Sequence, residues 1–155
     1  MSGLIEGRLG ELKIELPPAP GAVGAYVPVM RAGNLIVTSG QLPWMGKQLA
    51  FSGPVGGRVT VQEGYEAARL CAINAIAQFK SAVNDLDRIR QIVRLEGYVY
   101  SAPGFREQPK VLNGASDLLV DVFGERGKHT RTALGISEMP LDAPVQLVVW
   151  AQLES

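Results

Sequence analysis

The stretch TVQEGYEAARLCAINAIAQFKSAVNDL, Thr60 to Leu86, constrains the fold most. Thr60 and Glu63 stand at capping-box spacing, which marks a helix start. Ala68, Cys71, Ala75, Phe79, Ala82 and Leu86 then recur at steps of three and four. Such a stripe places one continuous apolar face on a long helix, and that face must be buried against another layer.

The segments around it supply the layer. Tyr26 to Arg31 and Leu35 to Ser39 read as strands joined through the turn-prone Ala32-Gly33-Asn34, a hairpin. Pro28 makes the first of them an edge or irregular strand. A loose region from Leu42 to Arg58 holds one short strand near Gln48 to Phe51. IRQIVRLEGYVYS reads as a strand with Val93, Leu95 and Val99 toward a core and Ile92, Arg94, Glu96 and Tyr98 facing away. PKVLNGASDLLVDVFGERG is a second helix, with Pro109 in its first turn, Gly124 at its end, and a stripe of Val111, Ala115, Leu118, Leu119 and Val122. Two strands close the chain, His129 to Ser137 and Val145 to Leu153. The tight link EMPLDAP predicts that they pair as a hairpin.

The order strand, strand, helix, strand, helix, strand, strand predicts an α+β fold: one sheet with two main helices on one face. Residues 1–155 form a single domain, with residues 1–18 an extension holding a short helix from Leu4 to Leu12 that LPPAP stops. The other sheet face carries small residues, Tyr98, Trp150 and the charges Arg94, Glu96 and Arg131. A half-apolar face of this kind meets another subunit, and its charges must pair or serve a ligand.

Composition narrows the function classes. Lysine plus arginine is 15 and aspartate plus glutamate is 15. A balanced chain lacks the basic footprint of a general nucleic-acid or membrane-surface binder. Cys71 stands alone, so no intramolecular disulfide and no cysteine zinc cluster can form. No metal and no cofactor are expected. GPVGGR lacks the lysine and hydroxyl of a phosphate loop and reads as a connection. With neither a signal-like start nor a membrane span, the expected location is the cytoplasm.

The sharpest question lies in GKHTRTALGISEMPLDAPVQ, Gly127 to Gln146. Arg131 alternates with Ala133, Gly135 and Ser137, and the chain's single histidine, His129, falls on the same face. Small residues beside a permanent cation leave space for an anion at a guanidinium fork. The plainer reading is a salt bridge from Arg131 to Glu96 or to another chain.

GNLIVTSGQLP, the long helix, VLNGASDL and RTALGISEMPLDAPVQL together resemble the Rid family, also called the YjgF family, whose members carry the label L-PSP endoribonuclease. The likeness runs from about Pro20 to the end. It implies a chorismate-mutase-like α+β fold assembled as a homotrimer, with sheets lining the centre and pockets between subunits. It also implies a hydrolase: deamination of reactive 2-imino and enamine acids to 2-oxo acids and ammonia. Arg131 matches the arginine that grips the substrate carboxylate. Ser39 and Gly40 match pocket-shaping residues, Tyr26 the pocket aromatic, and Asn113 the pocket asparagine. Active members carry a glutamate where Gln146 stands here. An amide can orient water but accepts no proton.

Each residue also has a plainer reading. His129 is a second donor, the general base that Gln146 cannot be, or a half-exposed strand-start histidine. Tyr26 is a pocket wall or an edge aromatic. Ser39 and Gly40 present a pocket edge or end a strand. Asn113 belongs to a pocket or caps a helix. Cys71 is a core residue. The functions to weigh are an imine/enamine deaminase, a non-catalytic trimer that binds a small carboxylate, and an endoribonuclease. Sparse aromatics (6%) and balanced charge weigh against RNA cleavage.

Overall fold

The computed structural model describes residue 3 to residue 22 and residue 24 to residue 155. Its elements are α1 (Leu4–Glu11), β1 (Val29–Ala32), β2 (Leu35–Thr38), β3 (Trp44–Met45), β4 (Gln48–Leu49), α2 (Val61–Val83), β5 (Ile89–Tyr100), α3 (Gln108–Phe123), β6 (Thr130–Ile136) and β7 (Val145–Leu153). Short 3-10 turns follow α2, α3 and β6. The expected hairpin β1–β2 forms, although β1 begins at Val29 and Tyr26 lies in the bend before it. β3 and β4 make a separate two-stranded ribbon from the loose region.

The main sheet has five strands in the order β1-β2-β7-β5-β6. This corrects the expected closing hairpin: β6 and β7 do not touch as partners. β6 runs parallel to β5, with Leu95 beside Arg131 and Gly97 beside Ala133. β7 lies antiparallel between β2 and β5. The physical reason is the crossover. A parallel neighbour needs a long connection, and α3 supplies it between β5 and β6. The link EMPLDAP then carries the chain past β5 rather than back onto β6. Its Leu141 and Asp142 adopt φ of 60° and 62°, left-handed values that the sequence does not announce.

Both helices cover one face, as expected. The capping box at Thr60 and Glu63 is formed in both directions. The stripe of α2 is buried through Phe79, whereas Ala82 is exposed and Val83 takes its place. All five stripe residues of α3 are buried, with proline in its first turn and Gly124 as C-cap. Along β5 the facing is shifted: Ile92 is buried and Val93 exposed, because a bulge interrupts the register between Ile92 and Arg94. The segment α1 belongs to the same core through Ile5 and Leu9. Two amides one helical turn apart on α2 hold the long loop: Asn74 Nδ2 donates to the Leu42 carbonyl at 2.9 Å and Gln78 Nε2 to the Pro20 carbonyl at 2.6 Å. Among the described residues no helix is long and apolar enough to cross a membrane.

Candidate functional site

Arg131 does not lie on the uncovered sheet face where the sequence pattern puts it. Side chains of paired neighbours share a face, and its partner Leu95 is fully buried under the helices. The helix-side position is confirmed by its contacts. Arg131 Nη1 donates to Asn113 Oδ1 at 2.9 Å and to Ser116 Oγ at 3.2 Å, both on α3. One nitrogen of the guanidinium is thereby fixed, and Nε and Nη2 have no partner among the described residues. Within the chain the salt bridge to Glu96 is excluded. Glu96 lies beside Thr132 on the opposite face and pairs with Arg94 at 3.4 Å.

Ala133 and Gly135 follow Arg131 on the same face, as the alternation predicts. Gly135 is constrained by packing: a Cβ there would sit 2.5 Å from Gln108 Nε2 and 2.9 Å from Ser101 Oγ. The small face is therefore partly filled by α3 rather than wholly open.

His129 joins the cluster. Its Nδ1 is 2.6 Å from the Gly127 carbonyl, an oxygen that can only accept, so Nδ1 carries the proton. Its Nε2 is 2.9 Å from Ser116 Oγ, and in the neutral ring the hydroxyl is the donor. Ser116 thus stands between the imidazole and the guanidinium. The sequence reading missed this serine. It lies one turn after Asn113 on α3, so the two share a face, and that spacing was the available signal.

Gln146 does not join this group within one chain. It pairs with Tyr98 on the uncovered face, with β5 between its strand and Arg131. It belongs with the other predicted residues. Tyr26, Ser39 and Gly40 line a small pocket of ≈ 70 Å³ with Gln41, Gln78 and Leu141. A Cβ on Gly40 would lie 2.4 Å from Gln146 Oε1, so any larger residue there would push that amide aside. The Ser39 hydroxyl is engaged, donating to the Val27 carbonyl at 2.6 Å. Gln41 and Gln78 are buried polar side chains that the sequence reading did not single out.

The predicted site is therefore split. Arg131, Asn113 and His129 meet, with Ser116, at the β6 edge under α3. Tyr26, Ser39, Gly40 and Gln146 meet at the end of β2 and the start of β7. Cys71 serves neither: it is fully buried, burial pushes its thiol well up, and its sulfur points to the Val145 carbonyl. Among the described residues no group of three or more His, Cys, Asp or Glu is placed to hold a metal ion.

A sheet with two helices on one face, an open second face and polar residues gathered at its edge defines a chorismate-mutase-like α+β protein. The chain belongs to the family described as "YjgF/chorismate_mutase-like, putative endoribonuclease", whose sequence profile matches residues 6–153. Protein TCP17 of Trypanosoma cruzi is 39% identical over 155 residues, covering 99% of this chain and 97% of its own. The crystal structure of Atu1372 from Agrobacterium tumefaciens is 44% identical, with a TM-score of 0.91 over 97% of this chain and 93% of that one. E. coli TdcF, solved with bound serine, shares the fold at 20% identity and a TM-score of 0.65, over 89% of this chain and 94% of that one.

Proposed function

We propose that this protein is a hydrolase that deaminates reactive 2-imino and enamine acids to 2-oxo acids and ammonia, in pockets completed between the chains of a homotrimer. The observation that carries the reading is the state of Arg131. Its Nη1 is tied to Asn113 and Ser116, while the Nε–Nη2 edge faces no carboxylate of this chain among the described residues. A fork held in place on one side and unpaired on the other suits a bidentate carboxylate.

The split site supports the oligomer. Arg131 and Gln146 lie on opposite faces, so a pocket containing both draws them from different chains. The uncovered face offers the surface, and Trp150 Nε1 is buried there without a partner among the described residues. Arg131 would hold the carboxylate, Asn113 would fix the guanidinium, and Tyr26, Ser39 and Gly40 of a neighbouring chain would close the pocket. Gln146 would orient the attacking water through its amide. Imine hydrolysis needs little beyond positioning and charge stabilisation. No cofactor enters this reaction.

Hydrolysis of 2-iminopropanoate generated in place, with wild type beside Arg131→Ala, tests the reading. The expected result is a rate enhancement in wild type that the variant loses while keeping its oligomeric mass. Equal rates would remove the clamp. A second reading, a non-catalytic trimer binding a small carboxylate, is favoured by the amide of Gln146, which cannot act as a base. Tight calorimetric binding of 2-oxo acids without turnover would select it. RNA cleavage ranks third, on the balanced charge and sparse aromatics.

A further inference from the structure

We propose that Ser116 and His129 form the proton-transfer pair of this site, with Ser116 relaying between an attacking water and the imidazole; the role rests on the deaminase reading. Four observations converge. The Gly127 carbonyl can only accept, so His129 Nδ1 carries a proton, and in the neutral ring Nε2 is then an acceptor. Ser116 Oγ lies 2.9 Å from that nitrogen, placed to donate to it. Arg131 Nη1 donates to the same oxygen at 3.2 Å, which stabilises charge developing on it. All three side chains are only part-buried, so substrate and water can reach them.

The geometry is that of a hydroxyl coupled to a base, with the base oriented by a third group. It also answers the absence of a carboxylate. Gln146 accepts no proton, whereas His129 shares its face with Arg131. Among the described residues the ring forms no ion pair, and the charged side chains of neighbouring elements have other partners. Lys128 pairs with Glu125 at 3.0 Å, Arg126 Nη1 donates to the Ile89 carbonyl, Asp117 accepts from Tyr65, and Arg94 on β5 bonds to Glu96 and Thr132 across the sheet.

The chemistry balances without any further reagent. Water oxygen bonds to the carbon of the protonated imine as the C=N π pair moves to nitrogen. The water proton passes to Ser116 Oγ while the serine proton passes to His129 Nε2. The same path then returns a proton to the amine nitrogen. The C–N bond breaks as the C=O bond forms, and the remaining hydroxyl proton leaves with ammonia as ammonium. The 2-oxo acid and neutral histidine remain.

Because His129 is the chain's only histidine, nitrogen NMR of labelled protein reads its tautomer without assignment. The expected spectrum shows Nδ1 protonated and Nε2 unprotonated, with the Nε2 signal moved by Ser116→Ala. In turnover, Ser116→Ala lowers kcat about 100-fold with KM little changed, since Asn113 still holds Arg131. Ser116→Thr restores most of the rate. His129→Gln removes most of the rate. An Nε2-protonated tautomer overturns the proposal, as does a rate unchanged in His129→Gln. If wild type turns over no imine, the deaminase reading falls separately. The NMR result then decides whether the hydroxyl and the imidazole are coupled.

Discussion

Gly114 lies so close to Tyr65 that a Cβ on it would sit 2.0 Å from the Tyr65 backbone oxygen. The helices α2 and α3 therefore meet at a point with no room for any side chain. Asn113 precedes that glycine, and Ser116 follows within a turn. The approach of the helices thus sets where both partners of Arg131 stand.

Gly114→Ala should destabilise the protein by about 1–3 kcal/mol, because backbone cannot yield as a flexible side chain would. The urea midpoint reads this directly. The same change should weaken 2-oxo acid binding by moving α3 against β6. An unchanged midpoint would mean that the helices separate without cost.

Beside the glycine, the Tyr65 hydroxyl donates to Asp117 Oδ2 at 2.7 Å. That bond, with burial and the Asp117 charge, pushes the phenol up to about 12. A group whose neutral form is favoured by folding gives its stabilisation below its unfolded pKa and loses it as pH rises through the folded value. Wild type should lose this contribution between about pH 10 and pH 12, and Tyr65→Phe should lack that alkaline loss. At neutral pH the variant should cost about 0.5 kcal/mol, at the low end because the pair is partly solvated. Denaturant melts of both proteins across that pH range check it.

Asp87 caps α1 from outside the helix. Its carboxylate accepts from the backbone N–H of Leu4 and of Ile5, each at 2.9 Å, and these bonds hold its pKa below the usual carboxylate value. A depressed carboxylate stabilises above its unfolded pKa and fails as pH falls through the folded one. Undocking of α1 should therefore begin in acid, near and below about pH 4. Asp87→Ala should show it at neutral pH, at a cost of about 1 kcal/mol, a typical cap. Amide exchange at Ile5 and Leu9 reports the docking.

Leu134 is 49% exposed on the uncovered face, next to Tyr98. With the proposed homotrimer, Leu134→Glu should reduce the mass seen by light scattering from three chains to one while leaving the circular dichroism of the helices intact. A variant that keeps the wild-type mass would place the interchain contact elsewhere.

Residue periodicity carried the layers well. The stripe of α3 and most of that of α2 were legible because each apolar position repeats with the helix turn. The direction of β6 was not. Alternation tells which residues share a face, and it correctly grouped His129, Arg131 and Gly135. It cannot tell which face meets the helices, since parallel and hairpin pairings of the same strand look alike. Ile92 and Val93 exchanged roles for a related reason: a bulge has no mark in the local pattern. Arg131, Asn113 and His129 were legible as candidates through motif and spacing. The split from Gln146 was not, because it depends on strand order. Ser116 was hidden by its ordinary helical context.

β7 has a place in the sheet that its place in the chain does not suggest. It alone connects the hairpin β1–β2 with the β5–α3–β6 unit. During synthesis these two pieces emerge before the strand that joins them, each with a bare edge of unpaired N–H and C=O groups. A ribosome stalled before Val145 would thus leave two sticky half-sheets, a natural substrate for chaperones and a route to aggregation.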